Sequence, residues 1–354
     1  METEVVVEGG TGVGGGGERV RVVVVVGGGG GGAVVSAGGV SAAGAASERF
    51  GFPSGRGSAA AAAAAADSAA PEIPPLLPRK ASAETRPALA LTDVPAAAGP
   101  AVSLFNGKDL KDWDAWLGYA DPALTYKRPP VAPIGASAKS AEMFKVVVED
   151  GQPALYVNGA TWGSLVHRGD FQNYHLRLEY KWGKGRWAPR EKDAPNNGLL
   201  YHTHGKPGVV WGTWSQSVEF EIMTGSVGMV VPVGETIAVS VDGVDDPSLI
   251  APKLRYTPGG RALVAKGGTA NWNVEAFSDV EKPAGQWNTL DLYVLGDRAV
   301  HLVNGVPVME VRDMTADGKP LTHGAIQLQS EGAETFFRDI VITPITTLPK
   351  VIAK

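Results

Sequence analysis

The sequence predicts an all-β fold over residues 99–348, an antiparallel β-sandwich or jelly roll. Short strand-like segments recur at even spacing, and turn signals of the Asn-Gly and Gly-Asp kind, such as VNG and VLGD, separate them. No stretch keeps a helical period. Together these features are typical of a sandwich. About ten segments carry the pattern: MFKVVVED, QPALYVNG, YHLRLEYKW, NGLLYHTH, SVEFEIM, TIAVSVDG, TLDLYVLG, AVHLVNGVPVMEV, GAIQLQS and FFRDIVITPI.

A low-complexity segment, residues 1–98, precedes this region. It contains glycine runs, an alanine run at Ala59–Ala66 and a proline-rich stretch at Pro71–Pro78, with Phe50 and Phe52 as its aromatic residues. Such a composition buries too little apolar surface to offset the entropy lost on ordering. We therefore expect disorder over residues 1–98, with an extended linker at the prolines. The valines at 22–26 are a candidate strand between glycine runs.

The same segment has the outline of a secretion signal. Arg19 and Arg21 precede VVVVV, and the small residues AAGAAS follow. This order matches the charged, apolar and cleavage regions of a signal peptide. It predicts a periplasmic or extracellular protein, and an upstream extension with no folding role is the alternative.

Composition excludes several classes of function. The formal net charge of −5 argues against nucleic acid as a partner, because phosphate binding requires a basic surface. The chain has no cysteine, which removes disulfides, thiol nucleophiles and thiolate metal sites. No stretch approaches the roughly 20 apolar residues of a membrane-spanning helix.

Three strand-like segments each place polar side chains on one face. In SVEFEIM, Val218, Phe220 and Ile222 alternate with Glu219 and Glu221. Consecutive strands usually lie side by side, so we expect the polar faces of YHLRLEYKW, NNGLLYHTH and SVEFEIM to meet. The alternative is an ordinary solvated face of an antiparallel sheet. The candidate site residues on these faces are Arg177, Glu179, His202, His204, Glu219 and Glu221, with Gln329 from a later strand and Trp182 and Trp214 as sugar-stacking aromatics.

Five motifs follow one another from about Leu104 to Ile342: LFNGKDLKDW, NNGLLYH, VEFEIM, GQWNTLDLYVLGDRAVHLVNG and IQLQSEGAETFFRDIVI. As a set they resemble a known family, the 3-keto-disaccharide hydrolase domain. The resemblance implies a concanavalin A-like jelly roll and a carbohydrate substrate. The chain departs from shorter members at Asn196-Asn197-Gly198, at His202, at the Glu219 and Glu221 pair, and in an insertion over roughly residues 225–283.

The resemblance also implies a chemistry. The C2 hydrogen of a 3-keto sugar is acidified by the adjacent carbonyl, so a base can remove it and the C1–O bond can then break by elimination. We expect Glu219 as the base with His202 as the alternate, and Glu221 as the acid or as the group that orients His202. Arg177 or His204 would hold the enolate oxygen. Glu179, Asn197, Trp182, Trp214 and Gln329 would bind the substrate.

Other interpretations stay open. A conventional glycosidase would use Glu219 and Glu221, although two carboxylates pointing in parallel suit that mechanism poorly. His202 and His204 with either glutamate could hold zinc or iron, and Asp193 or Asp245-Asp246 could hold calcium. No metal ligand set is assigned, so a divalent metal is only a possible cofactor. A non-catalytic carbohydrate-binding module and a cell-surface interaction domain are the alternative functions.

Overall fold

The computed structural model describes residues 88–353 and, ahead of them, two short strands, β1 (Glu4–Val5) and β2 (Val24–Val25), which pair antiparallel with each other. The β2 strand lies within the valine run that the sequence marks as a candidate strand. The linker at Pro71–Pro78, the signal-like outline and most of the segment expected to be disordered lie outside the described residues.

Within residues 88–353, strands make up nearly all of the regular structure. One 3₁₀ turn covers Pro122–Lys127, and one helix, α1, covers Ser140–Met143. In chain order the remaining strands are β3 Leu89–Thr92, β4 Val102–Ser103, β5 Trp113–Leu117, β6 Phe144–Glu149, β7 Gln152–Val157, β8 Gly163–His167, β9 Tyr174–Arg186, β10 Asn196–His204, β11 Gln216–Met223, β12 Val230–Val233, β13 Ile237–Asp245, β14 Leu254–Tyr256, β15 Arg261–Lys266, β16 Asn288–Leu295, β17 Arg298–Val303, β18 Val306–Ala316, β19 Lys319–Pro320, β20 Ala325–Ser330, β21 Ala333–Pro344 and β22 Lys350–Ala353.

The strands form two main antiparallel sheets. The smaller sheet has the order β12-β11-β10-β20-β8-β5. The larger sheet has the order β14-β13-β18-β17-β16-β9-β21-β7-β6, and β15, β19 and β4 pair with β13, β18 and β21. The predicted class, an all-β antiparallel sandwich, is confirmed. A separate pair joins β3 to β22, and both of its strands lie outside the predicted domain limits of 99 and 348.

Period-two alternation builds the core between the sheets. On the smaller sheet, Val218, Phe220 and Ile222 point inward and are fully buried. They meet the inward face of β9, where Leu176 and Leu178 are also fully buried. Burying side chains of this size contributes about 1.5–3 kcal/mol each. The alternation predicted for these two strands is therefore the one that the core requires.

One predicted neighbourhood is wrong. Strand β9 lies between β16 and β21 in the larger sheet, so it is not beside β10. The chain crosses from one sheet to the other between β9 and β10. Alternation along a strand reveals which residues point inward, but it is the same for a strand in either sheet. Residues 225–283 supply β12 to β15, so the insertion extends both main sheets.

Candidate active site

A cleft lies on the face of the smaller sheet that points away from the core. Glu219 and Glu221 on β11, and Gln329 on β20, contribute its floor. The cleft has an empty volume of about 500 Å³, part of which is open to solvent. Its remaining lining comes from β10, β12 and the loops: Tyr126, Arg190, Asn196, Trp211, Trp214, Val231, Val233, Trp272 and Glu331.

The two carboxylates of β11 are nearly as buried as the core. Glu219 is 4% exposed and Glu221 is 5% exposed. The alternative of an ordinary solvated face is therefore wrong for this strand, because loops and aromatic side chains cover it. Burying an ionisable carboxyl is unfavourable unless neighbours compensate, so carboxylates placed this deeply indicate a functional site.

Gly198 has no side chain, and this leaves room for the carboxyl of Glu219. A Cβ at position 198 would overlap Oε1 of Glu219 and lie 2.7 Å from Oε1 of Gln329. Gln329 also hydrogen-bonds to the Glu219 carboxyl, and its own Oε1 has no hydrogen-bond partner among the described residues. Gly198 belongs to β10 and lies opposite Glu221 on β11. The glycine thus leaves the space in which the carboxyl and the amide meet.

A second group of polar side chains closes the cleft from the loops. Nη2 of Arg190 lies 2.9 Å from Oε1 of Glu331, and the Tyr126 hydroxyl donates to the same oxygen at 3.1 Å. The Arg190 guanidinium also stacks on the ring of Trp162, 5.0 Å from its centre. Tyr126 packs edge-on against Trp211 at 5.0 Å. Arg190 is the only cation among the described residues that line the cleft, and these contacts hold it beside three carboxyls.

Burial and mutual repulsion set the protonation of the carboxyls. Burial and the charges of Glu221 and Glu331 raise the pKa of Glu219 well above its usual value, while Arg190 and Gln329 act in the lowering direction. Burial also raises the pKa of Glu331, and Arg190 and Tyr126 limit that rise. Glu219 therefore holds a proton at a pH where an exposed carboxyl is ionised.

The loop residues keep their ordinary charge states. Burial alone would lower the pKa of Arg190, but the nearby Glu331, Tyr126, Glu221 and Asp193 together outweigh this effect, so the pKa is raised. Burial, together with Glu331, raises the pKa of Tyr126 well above its usual value. Arg190 therefore stays a cation, and Tyr126 stays a neutral phenol that donates a hydrogen bond.

The two histidines predicted for the site do not line the cleft. His202 has a φ of 52° and lies within an irregular part of the β10 pairing, so its side chain leaves the face that strict alternation would assign to it. Its Nε2 contacts the carbonyl oxygen of Gly296 at 3.0 Å, and burial lowers its pKa to about 4. Nδ1 of His204 contacts the carbonyl oxygen of His202 at 2.9 Å.

Two further predicted residues lie on the outer face of the larger sheet. Arg177 pairs with Asp291, with Nη1 and Oδ1 3.1 Å apart, and its side chain is 55% exposed. Glu179 pairs with Arg338 at 2.7 Å. Both belong to β9, so the sandwich core separates them from Glu219 and Glu221. The expectation that they share one polar face with the β11 carboxylates is wrong.

Asn197 and Trp182 have structural contacts in the interior. Asn197 points into the sandwich, where its Nδ2 donates to Oγ1 of Thr335 on the opposite sheet at 3.0 Å. Trp182 donates from Nε1 to Oε1 of Glu281 at 2.7 Å and packs in the core. Neither residue lines the cleft. Trp214 does, and its Nε1 donates to the carbonyl oxygen of Gly163 at 3.2 Å.

The proposed metal ligands do not form a metal site. In the described part of the chain no group of three or more His, Asp or Glu side chains has an arrangement suited to a metal ion. Asp246 instead bonds Arg255, with Oδ2 and Nε 2.6 Å apart, and Asp245 pairs with Arg261 at 2.6 Å. We also find no helix among residues 88–353 with the length and apolarity that a bilayer crossing requires.

Sequence reasoning missed Tyr126, Arg190, Asn196 and Trp272. Asn196 could have been found, because it shares its face with Gly198 and not with Asn197. The other three lie outside the strands of the smaller sheet, where no periodicity indicates which way a side chain points. The sequence places Glu331 just after the Gln329 strand and Trp211 among the aromatics near the candidate strands, and both line the cleft.

Fold and cleft together define a class: a β-sandwich protein with a buried acidic site on one sheet. The model of the 3-keto-alpha-glucoside-1,2-lyase-like domain family matches residues 100–343, so the chain belongs to this family. The resemblance seen in the sequence motifs is therefore confirmed, and it supports a carbohydrate-related function. A search of curated proteins found no match.

Solved structures with a similar fold include three bacterial proteins. A Parabacteroides distasonis protein provisionally named a glycosyl hydrolase is 17% identical, with 70% of this chain and 94% of that chain covered and a TM-score of 0.40. A Bacillus subtilis protein of unknown function with a galectin-like fold is 13% identical, with 73% of this chain and 100% of that chain covered and a TM-score of 0.40. The Bacillus licheniformis beta-glucanase is 10% identical, with 70% of this chain and 100% of that chain covered and a TM-score of 0.34.

Proposed function

We propose that this protein cleaves 3-keto-glycosides by proton abstraction at C2 and elimination at C1. The observation that carries the proposal is the buried pair Glu219 and Glu221, with the pKa of Glu219 raised, in the cleft of a member of this family. An elimination needs a base for the C2 proton and an acid for the leaving oxygen. Two neighbouring carboxyls, one of which has a raised pKa, can supply both.

We assign the roles in the reverse of the order expected from the sequence, because burial raises the pKa of Glu219. Glu219 holds a proton, so it is the acid that donates to the leaving oxygen at C1. Glu221 is then the base that takes the proton from C2. Arg190 lies beside Glu331 at the same cleft and supplies N–H donors, while the O–H of Tyr126 donates to Glu331. Arg190 is the group that stabilises negative charge on the C3 oxygen as the enolate forms.

The reaction balances within the substrate and these two carboxyls. The C2–H bond breaks, its electron pair forms the C2–C3 double bond of the enolate, and the proton goes to Glu221. The enolate re-forms the C3 carbonyl as the C1–C2 double bond forms and the C1–O bond breaks. The leaving oxygen takes the proton of Glu219. Addition of water to the unsaturated sugar completes the net hydrolysis.

The position of the carboxyls has a stereochemical consequence. Glu219 and Glu221 both extend from β11, so they reach the sugar from the same side. The roles therefore favour a substrate whose C2–H and C1–O bonds lie on one face of the ring. In a gluco-configured sugar this is the β-anomer. The family is named for α-glucosides, in which these two bonds lie on opposite faces, so a clear preference for the α-anomer would refute the assignment of Glu219 as the acid.

The test uses the purified full chain with α- and β-linked 3-keto-glucosides and with the unoxidised parent sugars. We expect release from the oxidised sugars only, with loss of the C2 hydrogen followed by NMR. Glu219→Gln should lower turnover about 10²–10⁴-fold, the usual contribution of an acid or base. Glu191→Gln is the matched control, because Glu191 is an exposed carboxylate next to Arg190. Release that leaves the C2 hydrogen in place, or equal release from unoxidised sugars, would refute the elimination.

Sugar binding without turnover is the second candidate function. The aromatic lining from Trp211, Trp214 and Trp272 favours it, because flat rings suit the C–H faces of sugars. A binding module would retain sugar affinity in Glu219→Gln and lose it in Trp211→Ala. Calorimetric titration of both variants with a 3-keto-disaccharide, alongside the turnover assay, separates this function from the enzyme.

A further inference from the structure

Trp272 stands at one edge of the cleft and comes from the insertion. It lines the cleft together with Val231 of β12, the edge strand of the smaller sheet. Its ring packs against Met223 and Met229, whereas the other three aromatic residues of the lining, Tyr126, Trp211 and Trp214, belong to a separate apolar cluster. The tryptophan therefore presents a ring at the β12 edge, beside the β11 carboxylates.

The backbone on both sides of Trp272 is fixed. The carbonyl oxygen of Asn271 accepts from the backbone N–H of Lys266 at 2.9 Å. On the other side, two residues after Trp272, Val274 exchanges two hydrogen bonds with Val230 of β12, at 3.0 and 3.1 Å. A ring held between two such anchors loses little entropy when it binds a ligand, so it suits a stacking platform.

The order of strands in the smaller sheet sets the positions at which the two rings of a disaccharide would lie in the cleft. The edge strand β12, the carboxylate strand β11, β10 and then β20 follow one another across the floor. At about 4.8 Å per strand, three steps span roughly 14 Å, enough for two sugar rings in a row. Glu331, with Arg190 and Tyr126, lies at the β20 end, and Trp272 lies at the β12 end.

We propose that Trp272 is the stacking platform for the leaving sugar, so that the insertion makes the site selective for disaccharides. This inference rests on the proposed function, which places the oxidised ring at the Arg190 end, where donors face its C3 oxygen. The leaving group then extends from the β11 carboxylates toward β12 and lies on the indole ring. Trp272 acts on the affinity for the second ring and takes no part in the proton transfers.

The experiment compares a 3-keto-disaccharide with the methyl 3-keto-glucoside of the same anomeric configuration. Trp272→Ala should lower kcat/KM for the disaccharide about tenfold, the loss typical of one aromatic contact, and leave the methyl glycoside within about twofold. Trp272→Phe should retain most of the activity on the disaccharide. Trp287→Ala is the matched control, because Trp287 stacks on Arg338 on the outer face of the other sheet. Equal losses on both substrates, or no loss on either, would overturn the inference.

A binding measurement separates this inference from the proposed function. In the Glu219→Gln background, titration calorimetry reports the affinity of both sugars without turnover. Weaker disaccharide binding in Glu219→Gln/Trp272→Ala, with unchanged binding of the methyl glycoside, supports the platform even if the parent protein shows no cleavage. Unchanged disaccharide binding overturns the platform even if the parent cleaves both sugars.

Discussion

The space above Gly198 is the most direct test of the site geometry, and Gly198→Ala fills it. The φ of Gly198 lies outside the left-handed region, so alanine suits the backbone and only the new methyl group matters. This methyl would overlap Oε1 of Glu219 and crowd Oε1 of Gln329 at 2.7 Å. The carboxyl must therefore leave its position or the strands must separate.

The structure gives the size of the two effects. Overpacking of this kind costs about 1–3 kcal/mol of unfolding free energy, well within what a domain of this size tolerates. Displacing one acid or base lowers turnover about 10²–10⁴-fold. We therefore expect Gly198→Ala to fold, to unfold at lower urea concentration, and to lose at least about a hundredfold in kcat. Gly99→Ala is the matched control, since its Cβ would meet Pro344 at an ordinary 3.4 Å.

A double-mutant cycle tests the cause of the effect. In Glu219→Ala the carboxyl that the methyl strikes is absent, so the stability cost of Gly198→Ala should fall by about 1 kcal/mol or more. Urea unfolding of the four proteins, followed by circular dichroism, supplies the cycle and needs no substrate. An equal cost of Gly198→Ala in both backgrounds would show that Glu219 does not occupy the space above the glycine.

Three further predictions concern single residues. Burial lowers the pKa of His301 to about 3, so between pH 6.5 and pH 3 the unfolded chain is protonated at this histidine while the folded chain is not. The free energy of unfolding should therefore decrease by about 1.4 kcal/mol for each unit by which the pH is lowered through this range. Urea melts of His301→Gln should show a shallower decrease, and equal slopes in the two proteins would contradict this. The raised pKa of Glu219 acts in the opposite direction, so the free energy of unfolding decreases as the pH rises above 4.5. The difference in unfolding free energy between Glu219→Gln and the parent should therefore be more favourable to the variant at pH 8 than at pH 4.5. A difference that does not change with pH would count against burial of the charge. Asn197→Ala should lower the free energy of unfolding by about 1–3 kcal/mol, because the hydrogen bond to Thr335 is lost, and should leave kcat unchanged. Asn196→Ala should instead lower activity and leave stability unchanged, because Asn196 lines the cleft. Thermal melts and turnover assays distinguish the two variants.

The sequence carried enough information for the faces of β11 and the class of fold. Strict alternation in SVEFEIM assigns Phe220 to the core and Glu219 to the other face, and both assignments follow from the pleat alone. Turn signals such as Asn304-Gly305 delimit the hairpins, because Asn304 has a φ of 50° and Gly305 a φ of 78°. These are local properties, and local patterns suffice to predict them.

The partners of Glu219 depend on long-range topology and were therefore beyond reach. The polar face of β9, with Arg177 and Glu179, alternates in the same way whether β9 lies in the smaller or the larger sheet. Arg190 comes from a loop 29 positions before Glu219 in the chain and has no periodic pattern to orient it. The prediction for His202 failed for a third reason: a single residue with positive φ changes the face on which the following residues of the strand lie.

Core and site share one strand, and this arrangement explains how a buried acidic cleft stays ordered. Phe220 stacks on the imidazole of His301 at 4.2 Å, and His301 contacts the Tyr201 hydroxyl and the carbonyl oxygen of Gly228. The backbone between Glu219 and Glu221 is thus fixed from the core side, independently of any substrate. Because the carboxyls repel each other and lack full solvation, a flexible support would let them separate or turn toward water. A rigid strand prevents this, so the interaction energy of the core maintains the raised pKa of Glu219 on which the proposed acid catalysis depends.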